Sequence, residues 1–328
     1  MMKKPLVCLC LSVVLASAGS AWAAEENTPL EENEAESTSA ALLACPTPKT
    51  PLETLKERAQ AGDAQAQVDY GHALLGDEKT GNNDYSLALP WFEKSAQAGN
   101  ACGQIALGEL YEYGNGVEAN TQTAFDWYKK AADQGLAQAQ YNCAVLLESE
   151  DGIKQNLPLA FEYYEKAAKA GLVNAQYNLA KMYEEGQGTP ANIEAALKWY
   201  KSAAQAGNTD AELHMGEIYY FGLMVPVNFT KAYSIFEPLA KEGYANAQFY
   251  CGIMALKGQG MKRNVKLAID FLAKASENEF SEAQKALGYL YLRGTDGVKK
   301  SIPDAREYFT QACENGDETS CQEVDKLK

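Results

Sequence analysis

Histidine is almost missing: the chain has two, His72 and His214, and neither lies in an HExxH pattern, so no centre built on several histidines can exist in it. No serine is followed by lysine three places later, which removes the SxxK nucleophile of penicillin-recognising serine enzymes. Neither GxGxxG nor a GK[ST] ending occurs, so the phosphate-cradling loops of nucleotide sites are absent too. Basic residues are in deficit, 29 Lys and Arg against 44 Asp and Glu, for a formal charge of −15. That balance excludes a general nucleic-acid binder, because a polyanion would be repelled before any base could be read. After the first two dozen residues, no stretch approaches the ~18 apolar residues of a membrane span.

What is present begins with an address. Residues 1–23 carry Lys3 and Lys4, an apolar run from Leu6 to Ala18, and the small-x-small triplet Ala21-Trp22-Ala23. This is the layout of a secretory signal peptide and predicts cleavage after Ala23, with export to the periplasm or beyond the cell. Removing it deletes two lysines and no acid, so the mature charge is 27 − 44 = −17. Residues 24–50 follow with six glutamates and then the run CPTPKTP. That composition cannot bury enough apolar surface to offset its ordering entropy and reads as a disordered acidic linker. Within it, Leu42-Leu43-Ala44-Cys45 has the form of a lipoprotein box but lacks an apolar core before it.

From residue 64 the sequence repeats every 36 residues, seven times, through residue 317. Ala124, Ala160, Ala196, Ala232 and Ala268 form one column; Tyr128, Tyr164, Tyr200 and Phe236 another; Gly135, Gly171, Gly207 and Gly243 a third. A period of this size marks a solenoid. Each copy predicts two antiparallel helices. In the fourth, Ala175, Leu179, Met182 and Tyr183 have the spacing of one buried helical stripe, Gly186 stops the helix, and Pro190 and Asn192 open the next. On that second helix Ala196, Trp199, Tyr200 and Ala203 face inward, and Gly207 closes it. The triplets Gly114-Asn115-Gly116, Gly186-Gln187-Gly188 and Gly258-Gln259-Gly260 lie two periods apart and read as helix stops.

The combination AQYNLAKMYEEGQG followed by EAALKWYKSAAQAGN resembles the Sel-one-like repeat, a longer relative of the tetratricopeptide repeat. The resemblance implies an all-α, right-handed superhelical α/α solenoid of seven 36-residue helix pairs. Residues 51–63 resemble half a repeat and residues 318–328 the opening of another, which predicts a capping helix at each end. Three copies depart from the pattern: Glu150 stands at the first loop glycine of the third, Leu223-Met224-Val225-Pro226 replaces the loop of the fifth, and Glu279 stands at the closing glycine of the sixth. These are expected to weaken caps or reshape loops.

The cysteines divide by position. Cys143 and Cys251 share the column of Leu107, Leu179 and Leu287 and read as small core residues, three layers apart. Cys313 and Cys321 have the eight-residue spacing that the cysteine-rich branch of the family bridges, which implies a disulfide stapling the C-terminal end. Whether Cys45 and Cys102 pair stays open. Some members of that branch have carried β-lactamase labels, and Lys79-Thr80-Gly81 matches one triplet of those enzymes. Without SxxK, a cell-wall or β-lactam-acting hydrolase is the disfavoured alternative. No cofactor and no metal is expected.

In such solenoids the first helices line the concave side, and the fifth, ninth and twelfth places of each point there. The middle copies place Glu109, Glu112, Tyr141, Glu148, Tyr177 and Glu184 on that stripe; the later ones place Glu217, Tyr220, Phe249, Ile253 and Tyr289. Asn142 and Asn178, at the next place, are set to hydrogen-bond an extended peptide, as equivalent asparagines do in related repeats. The expectation is an acidic centre running into an apolar C-terminal half, which takes a protein or peptide partner with basic and apolar residues. A homodimer through the aromatics, or a self-assembling scaffold, is the alternative. The resemblance implies work in envelope regulation, secretion or host contact, and no enzymatic activity.

Overall fold

The computed structural model describes residues 45, 50–75, 84–150, 152–294 and 297–327. The signal segment, nearly all of the acidic linker and the Lys79-Thr80-Gly81 triplet lie outside the described residues. Those described form sixteen helices and no strand. A lone helix α1 (Leu52–Gln60) precedes seven pairs: α2 (Ala64–Leu75) with α3 (Tyr85–Gln97), α4 (Ala101–Tyr113) with α5 (Thr121–Ala132), α6 (Ala137–Glu148) with α7 (Leu157–Lys169), and α8 (Val173–Glu185) with α9 (Ile193–Gln205). Then come α10 (Thr209–Phe221) with α11 (Phe229–Glu242), α12 (Ala245–Lys257) with α13 (Val265–Glu277), and α14 (Ser281–Arg293) with α15 (Ile302–Glu314). A short α16 (Glu318–Lys326) follows. No described helix is long and apolar enough to cross a membrane.

The repeated columns are the core. Ala124, Ala160, Ala196, Ala232 and Ala268 are fully buried, as are Tyr128, Tyr164, Tyr200 and Phe236. Small residues let first and second helices approach, and the large side chain of this second-helix column, a tyrosine or phenylalanine here and Leu272 in the sixth copy, fills the space the approach leaves. Leu55 and Ala59 of α1 bury against Ala66 and Tyr70 of α2.

Polar joints repeat with the same period. Asn120, Asn156, Asn192, Asn228 and Asn264 each precede a second helix, and each side-chain oxygen accepts from the backbone N–H three residues on. Such a cap is worth about 1 kcal/mol. A glutamine column ties each first helix backwards. Gln67, Gln104, Gln140, Gln176, Gln248 and Gln284 are buried, and each Nε2 donates to the backbone carbonyl eight residues earlier, at the end of the preceding helix. Each of those carbonyls also accepts the backbone N–H of its closing turn, so the glutamine fills the second lone pair of a helix-end carbonyl. In the fifth copy Glu212 takes this column, and burial first, then the Glu242 charge, raises its carboxyl above the ordinary range.

The departures from the repeat pattern resolve unequally. Gly222 still caps α10 in the left-handed region at φ 71°, and Met224 takes the second glycine's place at φ 56°. The fifth loop therefore keeps left-handed turns where its siblings have them, against the expectation that its glycine loop is replaced outright. A methionine there costs about 1–2 kcal/mol that glycine would not. Glu279 likewise keeps the closing-turn conformation at φ 59°. Only the third copy changes its stop: α6 ends one residue early, at an extended Ser149.

Two disulfides are present among the described residues. Cys313–Cys321 joins α15 to α16, as the family resemblance implied, with Cα atoms 4.8 Å apart. Cys45–Cys102 ties the segment before α1 to the start of α4 and settles the pairing that spacing left open. Cys143 and Cys251 are free and buried, and burial pushes both thiols up to about 12, so neither is a nucleophile at neutral pH.

Candidate functional site

The residues assigned to the partner-facing stripe all lie on first helices, from Glu109 and Glu112 on α4 to Tyr289 on α14. Those named are half-buried, neither sunk in the core nor open to solvent, whereas Ile105 at the fifth place of α4 is buried and Lys181 at the ninth of α8 is exposed. The reason is a second column that the stripe rests on. The Tyr128, Tyr164 and Tyr200 hydroxyls donate to Glu112, Glu148 and Glu184 at 2.6, 2.7 and 2.8 Å. Burial first, then the carboxylate beside each phenol, raises all three phenols well above the ordinary tyrosine range. Where the second-helix column loses its hydroxyl, the carboxylate goes too: Phe236 pairs with Tyr220 in the fifth copy, and Leu272 with Leu256 in the sixth. The acidic centre and apolar C-terminal half thus follow from one exchange of partners.

Above that layer the stripe aromatics lean on the same rings. Tyr141 lies on Tyr164 and Tyr177 on Tyr200, each with centroids 5.7 Å apart. Phe249 contacts Tyr250 and Phe280 at 5.5 and 5.4 Å, and Ile253 joins it against Leu272 and Leu287. Tyr220 touches Tyr250 at 5.3 Å. Tyr289 stands apart from these, on Phe309 and under Arg293.

The place after the stripe reads Asn142, Asn178, His214 and Tyr250, and it bridges copies. Asn178 donates to the Tyr164 hydroxyl at 3.1 Å, and Tyr250 donates to Glu217 at 3.0 Å. Asn142 instead accepts from Gln138 of its own helix. His214, which read as an isolated surface or packing histidine, is clamped: Nε2 is 2.8 Å from Glu184 and Nδ1 is 3.1 Å from Glu217, with the ring against Tyr200. Two signals in the sequence pointed to it, the shared column with Asn142 and Asn178 and the glutamate three places on.

Burial works against the charge on His214, yet the hydrogen bonds and charges of Glu184 and Glu217 prevail and raise its pKa to about 9. Glu184 moves the opposite way: burial disfavours its charge, and the bonds from His214 and Tyr200 outweigh that and hold the carboxylate below its ordinary range. At neutral pH the face therefore carries an imidazolium between two carboxylates. An unfolded histidine titrates near 6.5, so the folded protein binds the extra proton between there and about 9. The stabilisation is full below the unfolded value and lost as pH rises through about 9, on the order of 2–3 kcal/mol in all. Melting temperature should fall across that window in the native chain and stay flatter in His214→Gln. A parallel decline in the variant would contradict the clamp.

Glu109 is set apart by its own titration. Burial first, and the neighbouring Glu112 charge second, raise its carboxyl to about 7. No cluster of three or more acidic, histidine or cysteine side chains suited to a metal exists among the described residues. A depression bounded by Ser276, Glu277, Tyr308, Gln311 and Asn315 lies between second helices α13 and α15, away from the stripe.

The sequence profile of the Sel1 repeat matches seven times, over residues 64–100, 103–136, 137–172, 173–208, 209–244, 245–280 and 281–317. No functionally curated protein matches the chain. Among solved structures, a Sel1 repeat protein from Oxalobacter formigenes superposes with a TM-score of 0.66 at 29% identity, over 84% of this chain and 80% of that one. The protein c5321, a protective antigen of uropathogenic Escherichia coli strains with an SLR fold, superposes with a TM-score of 0.54 at 27% identity, over 85% and 67% of the two chains.

Proposed function

Because this chain belongs to the Sel1 repeat family, whose helical solenoids work in general through protein–protein contact, we propose that it is an exported binding protein which holds a protein or peptide segment along its first helices. The observation that carries the reading is the half-buried stripe itself. Tyr141, Tyr177, Tyr220 and Phe249 are large half-buried rings, the first two braced by the buried Tyr164 and Tyr200 and the last two by the half-buried Tyr250 and Phe280. Braced aromatics lose little freedom when a partner covers them, which is the property of interface anchors. Glu109 and the carboxylates of Glu112, Glu148 and Glu217 favour basic residues in that partner, while Phe249 and Ile253 favour apolar ones. The work is binding, with no catalysis of its own. Export is supported by the leader pattern of residues 1–23 and by two disulfides, which persist in an oxidising compartment such as the periplasm. Envelope regulation, secretion and host contact are all roles such a binder can serve.

Site-specific photocrosslinking in the native cell envelope tests this. A photoreactive residue in place of Tyr177 should give one discrete adduct, whereas one in place of the exposed Lys198 on second helix α9 should give none. Equal smears from both, or silence at both, would remove the partner from the first-helix face.

A further inference from the structure

The loops that join the two helices of each pair form a separate surface, and its charge changes along the chain. Each loop rests on the start of the preceding second helix: Gly116 lies against Tyr85, Gly188 against Leu157 and Gly260 against Phe229. The loops therefore follow one another along an edge in repeat order. In the fifth copy that edge is apolar. Phe221, Leu223, Met224 and Val227 are exposed by 54, 39, 57 and 51% within seven residues. Met224 holds a left-handed backbone that glycine would hold without strain, and its exposed side chain returns no burial for that strain. Residues kept in such conformations concentrate at functional contacts.

The edge on either side has opposite sign. At the last place of first helices α8, α10 and α12 stand Glu185, Phe221 and Lys257; at the second place of second helices α9, α11 and α13 stand Glu194, Thr230 and Lys266. All six are exposed. The pattern is acid, neutral, base in both columns, with the fifth copy at its centre. A two-fold axis through that centre lays Glu185 opposite Lys257 and Glu194 opposite Lys266, twice each, and lays Phe221 and Met224 on their own copies. Such self-complementarity is what an isologous contact requires.

We propose that the chain forms an antiparallel homodimer through this loop edge, with the fifth-copy prong at the two-fold axis. The edge meets a second copy better than it meets an anionic bilayer. A lipid surface would attract Lys257, Lys262, Arg263 and Lys266 but repel Glu185 and Glu194 on the same edge, whereas a second copy pairs acid with base on both sides. The edge meets the first-helix stripe where Phe221 packs on Tyr220 and Tyr250, while the stripe residues of α4 and α6 lie in copies away from the axis.

The test is the mass of the purified chain by sedimentation equilibrium across a concentration series, at low and high salt. The native chain should be a dimer that weakens with salt, and Phe221→Asp should be monomeric. Glu185→Lys should weaken dimerisation about 100-fold by setting like charges together, and adding Lys257→Glu to it should restore the dimer, since both pairs are then reversed. All three residues are exposed, and unchanged circular dichroism excludes misfolding. A native chain that stays monomeric overturns the proposal, whether or not it pellets with anionic vesicles. So does a dimer indifferent to these changes, or a double variant that is not rescued.

Discussion

Gly188→Ala should unfold the middle of this protein at far milder conditions than the native chain tolerates, with a loss of about 3–4 kcal/mol. Two costs coincide there. The backbone sits at φ 69°, and a Cβ would run into the backbone carbonyl of Leu157. Rigid main chain cannot rotate aside as a side chain can, so helix α7 would have to shift. Gly207→Ala is the control. Its φ is 92°, yet a Cβ there meets nothing within 4 Å, so only the conformational cost of about 1 kcal/mol remains. The chain itself performs that control one period later but one, where Glu279 occupies the same open closing turn. Urea unfolding of both variants separates the two costs. Equal destabilisation would mean that the loop moves freely and that the Leu157 contact does not hold the copies together.

Loss of the Cys45–Cys102 disulfide should cost about 4 kcal/mol, and loss of Cys313–Cys321 about 2.5 kcal/mol, from loop-closure entropy alone. The difference comes from the chain enclosed, 57 residues of separation against 8. In a stack where each copy touches only its neighbours, the damage should stay local. Without Cys45–Cys102, hydrogen exchange should rise in α2 to α4 and leave α7 to α9 protected; without Cys313–Cys321, it should rise in α15 and α16. Paired Cys→Ala variants, followed by exchange mass spectrometry, provide the measurement. A uniform rise along the chain would show that the solenoid unfolds as one cooperative unit.

The parts of this architecture that could be read from residues are those that recur. Ala124 and its column, the tyrosines from Tyr128 to Tyr200, and the helix stop at Gly186 announce themselves because period and chemistry agree in every copy. The Asn192 start signal belongs to the same class, and the structure extends it to five copies. What escaped notice was either pairwise or singular. The Glu148–Tyr164 hydrogen bond spans sixteen residues, beyond any helical period, so its glutamate read as part of an open acidic stripe. His214 drew little attention because its meaning depends on Glu184, thirty residues earlier in the previous copy. Cys45 lies in a segment without a repeat register, so nothing fixed its distance from Cys102. Met224 was misjudged for a different reason. A non-glycine residue gives no warning of a left-handed backbone, and only its place in a glycine column betrays one.

The buried glutamines make the length of this molecule adjustable in fixed steps. Each one reaches back to a helix end eight residues earlier, so donor and acceptor straddle the same boundary in every unit but the fifth, where Glu212 stands. An internal duplication or deletion of one full unit recreates that seam from identical parts, with no other residue needing to change. A slip of any other size strands a buried amide, which a packed interior cannot tolerate. Such a gene can lengthen or shorten its product by whole rungs while remaining foldable at each step.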